Sequence, residues 1–170
     1  MPSKINLEFV VEDLGLNTLT NPKFTYNNIS TNLGTRYSID KSQNIYFNYS
    51  ISSRKPNPSE LFSEGLHHSS ARIEIGDLSF TSEVGHNFSL TYNVANEKSN
   101  LTVNSFANYV DDFIYIIPVD LMPTIAGVFP YWEYKQDNAK LFGFDLKYER
   151  QYFTNFFIGH QISIIKGYER

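Results

Sequence analysis

Two adjacent histidines, His67 and His68, stand in the stretch "SRKPNPSELFSEGLHHSSARIEIGD", Ser53 to Asp77. Neutral imidazole is the commonest protein metal ligand, and it titrates near pH 6.5. Adjacent side chains in extended backbone point to opposite faces, so one of the pair would reach a given metal or cargo rather than both. His86 and His160 each interrupt an apolar run, a setting for packing or membrane-interface contact rather than ligation. Asp111 and Asp112 are neighbouring carboxylates, but alternation separates them, which is poor geometry for acid–base work. The chain has no cysteine, so disulfides and thiolate metal sites are excluded. It also lacks a Gly-rich phosphate loop, a nucleophile elbow and a His-Glu-x-x-His pair. These residues offer a loop that contacts a metal or cargo. They imply no enzyme and no resident cofactor.

The elements that must position that loop are strands. Period 2 dominates, and helical spacing is hard to find. Ile45, Phe47, Tyr49 and Ile51 alternate with Tyr46, Asn48, Ser50 and Ser52. Phe80, Val84, Phe88, Leu90, Tyr92 and Val94 share one face, with Thr81, Glu83, Gly85, Asn87, Ser89, Thr91 and Asn93 on the other. Leu101, Val103, Ala107, Tyr109, Phe113, Tyr115 and Ile117 read as one phase, as do Trp132, Tyr134, Phe142, Phe144, Leu146 and Tyr148. Phe156, Ile158, Ile162 and Ile164 close the series. Several stretches run about 14 to 17 residues by pattern, against about 5 or 6 in globular sheets. Pro56 and Pro58 remove two N–H donors, so the chain leaves the ladder there.

The connectors alternate in length. "DLGLNTLTNP" after a first strand at about residues 4–12 is long, and "DKSQ" is tight. The Ser53–Asp77 stretch is long, "ANEKSN" short, "PVDLMPTIAGVFP" long, and the turn at "RQYFTN" short. Short turns at one end and long loops at the other mark an outer-membrane barrel. A soluble or secreted all-β ligand-binding module is the alternative, and it has no reason to keep strand length and connector order this way.

Bulk properties agree. The 170 residues make one domain. Hydrophobic residues form 41%, which excludes a disordered chain. The net charge of −4 and the absence of a basic stripe exclude a nucleic-acid partner. Aromatic residues form 16%, which suits strands and membrane interfaces. No apolar run is long enough for a transmembrane helix, and "MPSKINLEFVVED" does not read as a secretory leader. A mean hydropathy of −0.33 is compatible with a barrel, whose apolar positions hide in alternation.

Three segments carry a family resemblance. "SRKPNPSELFSEGLHHSSARIEIGDLSFTSEVGHNFSLTYNV", "NSFANYVDDFIYI" and "YWEYKQDNAKLFGFDLKYE" resemble TonB-dependent outer-membrane receptors. The matching positions are Arg54, Pro56, Glu60, Leu61, Phe62, Ile73, Glu74, Gly76, Asp77, Glu83, Asp112, Phe113, Ile114, Gln136, Asn138, Ala139 and Gly143. The resemblance implies an all-β antiparallel up-and-down meander of about eight long strands. It would be an incomplete segment of a 22-stranded transmembrane barrel, in the bacterial outer membrane. Residues 1–170 are then expected to be barrel wall, with plug, leader and final strands lying elsewhere. Implied partners are outer-membrane lipid, the receptor's own plug domain, the TonB complex and a cargo such as an iron-siderophore, haem or zinc. His67 and His68 are the residues expected to touch cargo or metal.

Overall fold

The computed structural model describes residues 3–6, 9–13, 16–20, 23–67 and 69–169, with side chains from residue 23 to residue 168 of that set. His68 lies outside the described residues. Four short strands come first: β1 (Ser3–Asn6), β2 (Phe9–Asp13), β3 (Leu16–Thr20) and β4 (Lys23–Tyr26). β1 pairs with β4 and β2 with β3, both antiparallel. The segment expected as a loop, "DLGLNTLTNP", therefore contains a return strand. Its Leu16–Thr20 stretch has no strong period of its own, and pairing with β2 decides it.

An eight-stranded sheet holds the rest. Six strands form a meander: β5 (Ser30–Ser38), β6 (Gln43–Arg54), β9 (Glu83–Ala95), β10 (Ser99–Thr124), β11 (Gly127–Phe153) and β12 (Phe156–Glu169). Between β6 and β9 lie α1 (Pro58–Phe62), β7 (Glu64–His67) and β8 (Arg72–Ile75). β7 and β8 form a hairpin, and β8 pairs with β11 in parallel, Tyr131 opposite Ile73. The pure antiparallel meander is thus broken at one place, where the inserted hairpin reaches the far edge of β11.

β10 and β11 have 26 and 27 residues, a ribbon of roughly 85 Å at about 3.3 Å per residue. The stretch "PVDLMPTIAGVFP", expected as a loop, is the tip of this ribbon, with Thr124 opposite Gly127. Its two β10 prolines, Pro118 and Pro123, are tolerated because β9 stops at Val84 opposite Asp111. Above that level β10 is an edge strand, and edge strands and bulges admit proline. Pro118 sits at a register shift.

Opposed residues share a face, so the register defines two surfaces. One carries the cross-strand rows Leu33–Tyr49–Phe88–Ala107–Phe142–Lys166 and Thr35–Phe47–Leu90–Ser105–Phe144–Ile164. It is apolar, and Leu33, Phe88, Leu90, Phe142 and Ile164 are all exposed on it. The other is polar and hydrogen-bonded along its length. Thr91 Oγ1 donates to Asn104 Oδ1 (2.9 Å), Asn104 Nδ2 to Asp145 Oδ2 (3.3 Å) and Arg36 Nη2 to Asn44 Oδ1 (2.8 Å). On that face Phe106 covers Gly143, where an added Cβ would overlap the ring.

The two phases do not run the full length of β10. Val110 opposes Ala139, but Phe113 opposes Asp137, so β10 carries one extra residue there. This bulge moves Phe113, Tyr115 and Ile117 to the polar face, opposite in sense to Tyr109. The single phase expected for Leu101 to Ile117 is therefore wrong above Val110. β11 has no such insertion, and Trp132, Tyr134, Phe142, Phe144, Leu146 and Tyr148 do share one face.

Candidate functional site

The residues between β6 and β9 fold into a small block against the β10–β11 ribbon. Asn57 precedes the helix and Pro58 opens it, a position where a missing N–H costs nothing. Asn57 N donates to Glu60 Oε2 at 2.7 Å. Leu61, Phe80 and Ile114 form a buried cluster, with Phe62 and Tyr134 packed on it. Ile73 is buried, and Pro56 is fully so. Gly76 N donates to Ser63 O (2.7 Å) and Asp77 N to Glu60 O (2.9 Å). A Cβ at Gly76 would meet Glu60 O at 2.6 Å, so only glycine permits this approach. Asp77 then accepts from Ser79 N (2.8 Å) and Ser79 Oγ (2.7 Å), which turns the chain toward β9. Those two hydrogen bonds hold the Asp77 carboxyl below its usual range.

One guanidinium organises the charges. Arg54 Nε donates to Glu83 Oε2 (2.6 Å), and Nη1 donates to both Glu60 oxygens (3.1 and 3.0 Å). The two carboxylates are nearly buried, at 11% and 10% side-chain exposure, while Arg54 keeps 41%. Arg54 thereby places one positive charge between two carboxylates and offsets part of the penalty that burial puts on them. Glu83 uses its second oxygen on the bulge, accepting from Ile114 N at 2.7 Å. Asp112 adopts a φ of 57°, a left-handed conformation that aspartate tolerates better than most residues. Gln136 Nε2 donates to Asp112 O (2.8 Å) and Thr81 O (3.0 Å), and Thr81 N donates back to Gln136 Oε1 (3.1 Å). Asn138 Oδ1 accepts from Asp112 N at 3.2 Å. The bulge is held from both sides.

At the sheet edge Glu74 accepts from Arg72 Nε (2.6 Å) and Tyr134 OH (3.2 Å). Arg72 lies 4.9 Å over the Trp132 ring. Burial opposes ionisation of Glu74. The hydrogen bonds and charge of Arg72, the Tyr134 hydroxyl and the charge of His67 together hold it below its usual range.

The structure thus gathers Arg54, Pro56, Glu60, Leu61, Phe62, Glu74, Gly76, Asp77, Glu83, Asp112 and Gln136 in and around one block. Ala139 and Gly143 lie further down β11, outside it. Phe113 is on the opposite face, stacked with Tyr115 at 6.2 Å. His67 is exposed, and its Nδ1 lies 3.0 Å from Ser69 Oγ. Among the described residues no three His, Cys, Asp or Glu side chains are grouped for a metal. The sequence reading missed Asn57, Arg72, Thr81 and Trp132. Asn57 before Pro58 is a readable helix start, whereas Thr81 meets Gln136 only through a contact 55 residues apart.

Above the bulge the block covers the ribbon face that carries Ile114 and Tyr134, continuous along β11 with the apolar face. The face carrying Phe113, Tyr115, Glu133 and Lys135 is continuous with the polar wall.

Residues 7–168 match the family described as TonB dependent receptor-like, beta-barrel. The chain belongs to that family. Its apolar face is the lipid face of a TonB-dependent receptor barrel in the Gram-negative outer membrane, and its polar face lines the lumen. Family membership decides against the soluble module. The siderophore receptor PirA from Pseudomonas aeruginosa has a similar structure, with a TM-score of 0.68 at 13% identity over 89% of this chain and 29% of that one. The copper transporter OprC is similar at a TM-score of 0.65 and 15% identity, over 93% of this chain and 22% of that one. These likenesses are of fold, and the chain spans less than a third of either receptor. No curated protein sequence matches the chain.

Proposed function

We propose that residues 1–170 are barrel wall of a TonB-dependent receptor that imports a scarce nutrient, an iron-siderophore, haem or zinc. The observation that carries this reading is a sheet of long strands with an apolar outer face and a hydrogen-bonded polar inner face. A plug domain and the TonB complex are the partners that would gate and energise uptake. PirA and OprC both serve metal-linked cargo, and the same class is proposed here. The cargo contacts are His67 at the end of β7 and its sequence neighbour His68, together with Phe113, Tyr115 and Lys135 on the lumen side of the β10–β11 ribbon.

Uptake of labelled iron-siderophore, haem and zinc by a receptor-null strain tests the reading. Loss of one of the three supports it, and wild-type uptake of all three sinks it. In the intact receptor, His67→Ala with His68→Ala is expected to weaken cargo binding about tenfold, roughly 1.4 kcal/mol. Unchanged affinity removes the histidines from the site and leaves the receptor reading standing.

A further inference from the structure

An apolar hollow interrupts the polar lumen face just below the bulge of β10. Two rows of the register make it, Asn87–Asn108–Leu141–Gly167 and Gly85–Val110–Ala139. Ala139 and Gly167 are small, and Leu141 and Phe113 stand taller beside them. The hollow has a volume of about 530 Å³ and is lined by Val110, Phe113, Ala139, Leu141 and Gly167 among others. Lys140 and Tyr168 border it, but they oppose each other in the row that belongs to the lipid face, where Lys140 Nζ lies over the Tyr109 ring.

Two asparagines form one side of its rim. Asn87 and Asn108 are directly opposed on β9 and β10. Asn87 Nδ2 donates to Ser50 Oγ at 3.4 Å, and the side chain of Asn108 forms no hydrogen bond among the described residues. Asn104, two rows lower, is by contrast engaged with both Thr91 and Asp145. The rim thus keeps amide donors and acceptors for a ligand.

Size and lining set the class of that ligand. Small-molecule sites are concave, about 300–1,000 Å³, and mostly apolar with a few placed polar groups. The hollow matches this, and no charged side chain of the lumen face lines it. It suits an aliphatic chain joined through an amide. The chain lies on Val110, Ala139 and Leu141, and the amide pairs with Asn87 and Asn108. The hollow also adjoins the proposed cargo contacts. Phe113 closes its top and stacks with Tyr115 at 6.2 Å, and Lys135 is opposite Tyr115. From Ala139 to Lys135 is four residues of β11, about 13 Å, so one elongated molecule reaches both.

We propose that the cargo is an iron chelate bearing an N-acyl aliphatic arm, with its chelating head at Phe113, Tyr115 and Lys135 and its arm in this hollow. The proposal rests on the uptake reading above and narrows it to one substrate class.

The test is uptake of ferric chelates by a strain whose only iron receptor is the intact protein. Hydroxamate, catecholate and carboxylate heads are each made with an N-acetyl and an N-octanoyl arm. Each buried methylene contributes about fourfold to affinity. For the head that is accepted, the octanoyl form is therefore expected to reach half-maximal uptake at a concentration at least about tenfold lower. Ala139→Trp fills the hollow and is expected to bring the ratio between the two arms to about one. Gly167→Leu fills it from β12, where an added Cβ meets Leu141 Cδ1 at 3.5 Å, an ordinary contact. It gives the same readout if the tryptophan variant does not fold. Equal uptake of the two arms by the wild type overturns the proposal and leaves the receptor reading standing. So does an octanoyl preference that survives in the folded, filled variants, which would mark partition into the membrane. Equal loss of both arms with their ratio kept also overturns it, and would put a plug segment in the hollow. Uptake of no chelate overturns the proposal together with the iron reading.

Discussion

The meander within the membrane and the α1–β7–β8 block above it are built on opposite economies. Not one apolar side chain of β5, β6, β9 or β12 is buried, although Leu33, Leu90, Phe156 and Ile164 are all large. The buried apolar residues Leu61, Ile73, Phe80 and Ile114 belong to the block and to the ribbon it covers. In the wall, hydrogen-bonded ladders satisfy the backbone and lipid solvates the outer face. The block stands in water, so it needs a core and must neutralise what it buries. Glu60, Glu74 and Glu83 are its buried carboxylates; Arg54 bridges Glu60 and Glu83, and Arg72 pairs with Glu74. The difference teaches that exposure of apolar residues means opposite things a few residues apart on one chain. On Leu90 it marks a lipid surface, whereas at Leu61 it would mark damage.

Adjacent positions on β9 test the wall half of this contrast with the largest effect. Leu90→Arg puts a charge near mid-membrane on the lipid face and is expected to destabilise the receptor in vesicles by about 2–4 kcal/mol. Ser89→Arg, one residue away on the lumen face, is expected to cost about 1 kcal/mol or less. Equal losses in urea titrations of the two variants would erase the distinction between the faces.

The block half rests on Arg54 and Glu83. Glu83→Ala strips Ile114 N–H of its acceptor and leaves Arg54 one carboxylate, a loss of about 2–3 kcal/mol. Hydrogen exchange should accelerate at Ile114 and across residues 58–82 while β9 and β10 below Val110 stay protected. Acceleration spread evenly over the whole sheet would show that block and wall are one cooperative unit.

Acidification sharpens the comparison by a smaller amount. Glu74 and Asp77 are depressed in the folded chain, so their contribution is present above the unfolded carboxylate range of about 4 and is lost as pH falls through the folded values below it. A receptor variant in which every tryptophan but Trp132 is replaced by phenylalanine should keep constant fluorescence from pH 7 to about 5 and change only below about 4. A transition near pH 6 would contradict the carboxylate account.

The two faces of the wall were legible because alternation is a property of the strand itself. Phe88, Leu90 and Tyr92 keep their phase whatever they pair with, and the register merely extends it across β10 and β11. The block was legible only through its resemblance. Arg54, Glu60 and Glu83 were visible as motif letters, but nothing local says that Arg54 should hold a carboxylate 29 residues away. The prolines at 118, 123 and 130 argued for a loop on local grounds. Those at 118 and 123 are strand residues because β10 has lost its β9 neighbour at that height, and Pro130 sits on β11 opposite Leu121.

By itself, then, the sequence determined a membrane-type sheet: long period-2 strands, a polar and an apolar face, short and long connectors, and a recognisable motif order. Tertiary structure decided where those phases reverse and which residues meet. A bulge adds one residue and no signature, yet it turns Phe113 and Tyr115 from the lipid side to the lumen. The physical reason is that alternation is fixed by each strand's own backbone, whereas register is fixed by two strands together. Only pairing reveals that Glu83 and Gln136 hold the point at which it slips.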